Sequence, residues 1–380
     1  MKIKQLAVLC SAAALLVSQP VLADINVGVS LSSTGPGAAL GIPEKNAIAL
    51  LPTSIGGEKV NYIVLDDGTD PSAATKNARK LVTEEKVDVL FGSSVTPASL
   101  AMAEVAVESQ TPLISMSPIN LPAEKNVWVF RTPQHVNLMA SALVEHMKLK
   151  GVKTLGFIGY SDAYGEDWLV GIKPMLDAAG IKLTSTERFN RTDTSVNGQV
   201  LKIVASRPDA VLVVASGSPA ALPQSSLIER GFKGQIYQTH AAANPGFLKV
   251  AGKAAEGVIM PIGPVVVVDQ IDDAHPSKKV GQAFVKDYEG KYGAGSFSSF
   301  AAYAFDAGLL FKAAVPTALK KGKPGTPEFR KALRDALESE KEVVGTDGVF
   351  NMTATDHFGL DARGRVLIRV DNGGYKLLGK

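Results

Sequence analysis

Two hydroxyl-rich loops carry the clearest chemistry in this chain. Phe91-Gly92-Ser93-Ser94-Val95-Thr96-Pro97 closes one apolar, β-branched run, and Ile114-Ser115-Met116-Ser117 closes the next. Thr96 directly before Pro97 reads as a helix cap followed by proline at the first helical position. Its hydroxyl and the free N–H groups beyond it would form an anion site at the carboxyl end of a parallel strand, where doubly wound sheets bind ligands. A threonine that only caps its own helix is the competing reading, and the second loop beside it favours the site.

Other chemistries find less support. Gly35-Pro36-Gly37-Ala38-Ala39-Leu40-Gly41 follows the first strand, and Asp66-Asp67 ends the next, as in a dinucleotide fold. The spacing, however, is G-x-G-x-x-x-G instead of G-x-G-x-x-G. His135, His146, His240, His275 and His357 show no H-E-x-x-H or other metal-ligand spacing. There is no G-x-S-x-G elbow, so an exported hydrolase is the weaker alternative.

Lys2 and Lys4, the apolar stretch Leu6 to Val17, and Val21-Leu22-Ala23 read as a secretory signal peptide over 1–23, cleaved after Ala23. Cleavage removes the single cysteine, Cys10; Leu9 before it argues against a lipidated cysteine. The exported chain of roughly 357 residues therefore has no disulfide and must stand on its own core, usually as two domains. That suits a bacterial periplasm. Without Lys2 and Lys4, 38 basic residues face 37 acidic ones, and no Lys/Arg run exceeds two residues. Nucleic acid and polybasic membrane contacts are not expected.

Positioning the loops falls to alternating short strands and helices. Strands are expected at Ile25–Val29, Asn61–Leu65, Val87–Phe91 and Pro112–Ser115, with helices at Pro43–Leu51, Pro71–Thr83 and Pro97–Glu108. The grammar restarts with strands Thr154–Tyr160, Ile181–Phe189, Ala210–Ala215, Gln235–Gln238 and Val258–Ile262, interleaved with helices Gly165–Ala179, Val196–Ser206 and Leu222–Arg230. Helices Ser277–Tyr292 and Ser299–Ala318 and a terminal hairpin, Arg365–Val370 with Tyr375–Leu378, complete it. An α/β protein with two doubly wound parallel-sheet lobes is expected.

The whole exported length resembles the leucine/isoleucine/valine-binding family of type I periplasmic binding proteins. The resemblance rests on Thr34-Gly35-Pro36 with Gly41, Asp66-Asp67-Gly68-Thr69-Asp70-Pro71, Pro112-Leu113-Ile114-Ser115 and Phe130-Arg131-Thr132. It continues through Asp162-Ala163-Tyr164-Gly165, Arg207-Pro208-Asp209-Ala210-Val211, Ala255-Glu256-Gly257-Val258 and Ala302-Tyr303-Ala304-Phe305-Asp306-Ala307. It implies three crossovers, an interlobe ligand cleft, a monomer without cofactor, and delivery to a separate ABC permease in the inner membrane. The twice-started grammar places 24–132 with 264–343 in one lobe and 133–263 with 344–380 in the other.

By that resemblance Thr96 holds a ligand carboxylate, Ser117 falls where a backbone carbonyl helps hold the amine, and Tyr164 closes over the ligand from the other lobe; Ser94 and Ser117 are expected as supporting donors to the carboxylate. Leu40 and Ile119 are expected to line its apolar part. The departures concern the amine: Ile119 stands where the family has a threonine, Pro118 has no N–H, and His240 stands where amino-acid binders present an acid. An unpaired buried ammonium costs several kcal/mol. The expected ligand is therefore a small carboxylate without an α-amino group, first an aromatic acid of the benzoate or phenylpropenoate type, then a 2-oxo acid. If another acid such as Asp162 takes the ammonium, the ligand is leucine-like.

Overall fold

The computed structural model describes residues 24–379. The signal peptide expected over 1–23, its cleavage site and Cys10 lie outside these residues.

The apolar runs build two sheets. The first contains β1 (Ile25–Leu31), β2 (Ser54–Ile55), β3 (Glu58–Asp66), β4 (Val89–Gly92), β5 (Leu113–Ser115) and β6 (Val129–Arg131), ordered β2-β3-β1-β4-β5-β6. The second draws on β7 (Thr154–Tyr160), β8 (Lys182–Phe189), β9 (Ala210–Val214), β10 (Gln235–Gln238) and β11 (Ile259–Ile262). A short hairpin, β12 (Val343–Val344) with β13 (Val349–Phe350), stands apart. Then β14 (Val366–Asp371) and β15 (Gly374–Leu377) add to the second sheet, ordered β15-β14-β11-β10-β9-β7-β8. Strands β4, β9 and β11 are buried at every residue, as parallel strands covered on both faces must be.

Apart from β2 and the β14–β15 hairpin, both sheets are parallel and wound in the same sense. The strand order reverses between β1 and β4 in one sheet and between β7 and β9 in the other. Ligands bind at such reversals, beyond the carboxyl ends of the strands. The chain crosses between the lobes three times: after β6, after β11 and before β14.

Most elements match the sequence reading within a residue or two. Asp70 caps the Pro71–Thr83 helix by accepting from the Ala73 N–H at 2.7 Å. Two differences concern the site. The first helix runs Ala38–Ile48 and carries Pro43 inside, instead of starting there. Pro43 lies just past the first turn, where its missing N–H removes one helical hydrogen bond. The second helix runs Thr96–Ser109, and Val95, with no side-chain bond, occupies the capping position. Thr96 is thus the first helical residue and does not cap. Helices Val136–Leu149 and Pro327–Ser339 lie outside the set expected from sequence.

Two glycines hold the reversals tight. A Cβ at Gly92, whose φ is +120°, would lie 2.0 Å from the Ser30 carbonyl oxygen. One at Gly165 would lie 1.9 Å from that of Tyr160. Asp66 and Asp67 are structural: Asp66 accepts from the Ser33, Thr34 and Gly68 N–H groups, and Asp67 from the hydroxyls of Ser30, Ser32 and Ser93. They fasten the loop after β1 to the loops after β3 and β4.

Candidate ligand-binding cleft

Loops from both reversals face each other across a narrow space. From the first lobe come Leu40, Ser94, Val95, Thr96, Met116, Ser117 and Pro118, with Phe300 and Tyr303 from the long Ser299–Leu319 helix. The second lobe supplies Tyr164 after β7, Arg191 after β8, Ser216 after β9, and His240 and Ala241 after β10. The lobes nearly touch: a Cβ at Gly217 would lie 2.8 Å from Leu40 Cδ1 and 3.2 Å from Ala39 Cβ. This is a closed conformation.

Six of the seven residues singled out from sequence line this space: Leu40, Ser94, Thr96, Ser117, Tyr164 and His240. Ile119 does not. It is fully buried beside the space, and its carbonyl accepts from Arg131 Nε at 3.0 Å. Pro118 takes its place in the lining because the chain turns inward there: Ile119 N–H bonds back to the Ser117 carbonyl. Several hydroxyls are already engaged. Ser117 Oγ donates to Ser99 Oγ at 2.9 Å, and Tyr164 Oη donates to Thr239 Oγ1 at 2.8 Å. Ser94 Oγ accepts from Ser32 N–H at 3.0 Å and is bonded to the buried Glu44 carboxyl.

Among the described residues that line this space, two buried side-chain atoms have no protein partner: Thr96 Oγ1 and His240 Nδ1. Both residues are 2 % exposed. Burial pushes the His240 imidazole down to about 4, so it is neutral at pH 7. An unbonded buried donor or acceptor costs about 1–3 kcal/mol, so such atoms commonly mark a place that a ligand completes.

Arg191 carries no motif in the sequence, yet it sets the charge of the site. Its Nε donates to Asp162 Oδ2 at 2.6 Å, its Nη1 to Ser216 Oγ at 2.9 Å, and its guanidinium lies 4.1 Å from the centre of the Tyr160 ring. Its place two residues beyond β8, at a strand's carboxyl end, is the signal that could have pointed to it. Asp162 also caps its own helix, accepting from the Tyr164 and Gly165 N–H groups. Phe300 and Tyr303 had no such signal, because a helix long in apolar residues gives no hint which face meets a cleft.

A two-lobed α/β protein with an enclosed, partly apolar cleft at paired strand-order reversals is a ligand-binding protein by architecture. The sequence bears this out, for residues 24–373 match the model of the periplasmic binding protein family, and the chain belongs to it. An extracellular ligand-binding receptor from Rhodopseudomonas palustris HaA2 is 50 % identical, covering 94 % of this chain and 100 % of that one, with a TM-score of 0.93. A Leu/Ile/Val-binding protein homolog 1 from Brucella abortus strain 2308 is 25 % identical over 84 % of this chain and 87 % of its own. A solute-binding protein of an R. palustris ABC transporter, solved in complex with benzoate, has the same fold. It is 24 % identical, covers 94 % of this chain and 96 % of that one, and has a TM-score of 0.76. Among the described residues no helix is long and apolar enough to cross a membrane.

Proposed function

We propose that this protein is the periplasmic solute-binding component of an ABC importer of the branched-chain-amino-acid type, and that it binds a small carboxylate without an α-amino group. The first choice is an aromatic acid of the benzoate or phenylpropenoate type, the second a 2-oxo acid. One observation carries this reading: among the described residues the cleft lining contains a guanidinium, two buried polar atoms without a protein partner and no carboxylate. An anion is matched there, and an ammonium has no counter-charge free to meet it. The benzoate complex of a fold relative agrees with the choice.

Thr96 and Arg191 hold the carboxylate in this reading, His240 adds a donor, and Leu40, Phe300 and Tyr303 enclose the apolar part. Residues 24–132 with 264–343 move as one lobe and 133–263 with 344–380 as the other. Opening admits the ligand, closure excludes water and strengthens the hydrogen bonds, and the ligand leaves unchanged to a separate inner-membrane permease.

A leucine-like ligand is the second reading, favoured by the relative's name and by Asp162 near the cleft. A thermal-shift screen pairing each amino acid with its deaminated analogue separates the two. Stabilisation by benzoate, a phenylpropenoate or a 2-oxo acid, but not by leucine or phenylalanine, supports the carboxylate. The reverse pattern overturns it, and turnover of any ligand overturns a non-enzymatic role.

A further inference from the structure

Glu44 lies behind the cleft, on the first helix, and is fully buried. Its Oε2 bonds to Ser94 Oγ, and its Oε1 has no partner. No cation neutralises it: Glu44 forms no ion pair among the described residues, and the other charged group acting on it is the carboxylate of Asp67, which repels it. An ionised carboxylate there would face desolvation, a like charge and a bare oxygen together. Burial accordingly pushes its carboxyl well above the usual range.

A serine oxygen has one hydrogen to give and two lone pairs to offer. The Ser32 N–H occupies one lone pair of Ser94 Oγ at 3.0 Å. What remains depends on which partner in the Glu44–Ser94 bond holds the hydrogen. We propose that Glu44 is a neutral acid that donates to Ser94 Oγ, filling its second lone pair and directing the Ser94 hydroxyl hydrogen into the cleft as a donor to an anionic ligand. If Glu44 ionises, Ser94 must donate inward to it, and the cleft meets a serine lone pair with a negative charge behind it. Glu44 is therefore a positioning residue: its proton sets whether Ser94 attracts or repels a carboxylate.

This rests on the carboxylate reading of the cleft, but the proton on Glu44 can be observed without any ligand. Infrared difference spectra of the ligand-free parent and Glu44→Gln at pH 7 should show a protonated carboxyl C=O band that the variant lacks. The amide of Glu44→Gln can donate to Ser94 as the acid does. Benzoate affinity should therefore stay near the parent's in Glu44→Gln, and fall by roughly tenfold or more in Ser94→Ala. As pH rises, the parent's affinity should fall in step with its carboxyl band, while that of Glu44→Gln shows no such step. A missing band overturns the proposal, as does a Ser94→Ala variant that binds benzoate like the parent. If the band is present and benzoate binds neither parent nor variant, the ligand reading fails and the proton on Glu44 stands.

Discussion

Arg191 and Asp162 meet at 2.6 Å on the second-lobe wall of the cleft, both side chains more than three-quarters buried. Asp162 thus has two tasks, holding a helix start and offsetting the cationic guanidinium of the cleft lining. Asp162→Asn separates them, because asparagine caps as well as aspartate but carries no charge. The variant should bind benzoate roughly fivefold tighter or more, and Arg191→Met about tenfold weaker, measured by calorimetry. Unchanged affinity in both removes Arg191 from the site. Leucine binding that is present in the parent and lost in Asp162→Asn would give Asp162 the ammonium instead.

Thr96→Val tests the unpartnered hydroxyl. Valine keeps the shape and removes a buried oxygen that has no partner among the protein's own atoms. An unsatisfied buried polar group costs about 1–3 kcal/mol, so the free variant should melt a degree or more higher. The shift induced by benzoate should shrink, with affinity down about tenfold. A variant that melts lower, or that binds as the parent does, would contradict the assignment.

The architecture was legible because buried parallel strands announce themselves. Runs such as Ala210–Val214 are apolar at every position, and Asp70-Pro71 marks a helix start by a local bond that the structure contains. Thr326-Pro327 carries the same signal and does cap its helix, Thr326 accepting from Phe329 N–H at 3.2 Å. The site was partly legible, since loops at strand ends are readable in order along the chain. What local sequence does not show is which side chain turns inward. Val95 takes the cap position that Thr96 promises, Pro118 displaces Ile119 from the lining, and Arg191 and Glu44 reach the cleft through contacts 29 and 50 residues away in sequence.

A buried acidic pair joins the Ser299–Leu319 helix to the turn between β12 and β13. Asp306 accepts from Thr346 N–H at 2.7 Å, Thr346 Oγ1 at 2.9 Å and Asp347 N–H at 3.1 Å, while both Asp347 oxygens lack partners. Burial pushes Asp306 up to about 7, and burial with the Asp306 charge beside it pushes Asp347 well above the usual carboxylate range. The folded protein therefore holds protons that the unfolded chain releases near pH 4. This contribution to stability is full below about pH 4 and falls as pH rises, until each acid ionises in the folded protein as well, which for Asp306 is at about 7. Asp347→Asn should flatten the upper part of that decline and melt higher than the parent at pH 8, by calorimetry. Parallel stability curves for the two proteins would show that Asp347 holds its proton no more tightly in the folded protein than in the unfolded chain. The pair also bears on the cleft. Gln134, in the first crossover, donates to the Gly364 carbonyl at 2.9 Å and accepts from the Tyr303 hydroxyl at 3.4 Å, and Tyr303 lines the ligand space.

His240→Glu puts the choice between anion and ammonium to the cleft directly. The variant places a carboxylate at the end of β10, against Trp168 and Tyr164, whose rings lie 5.9 Å and 6.4 Å from the imidazole. With water excluded, a like charge facing a bound carboxylate costs several kcal/mol, so benzoate affinity should fall more than about a hundredfold. The new acid would share the cleft lining with Arg191. His240→Gln retains a neutral donor and should lose no more than about tenfold. A gain of leucine binding in the glutamate variant would show that the missing acid alone excludes amino acids. Equal benzoate affinity in the parent and the glutamate variant would place the carboxylate elsewhere than beside His240.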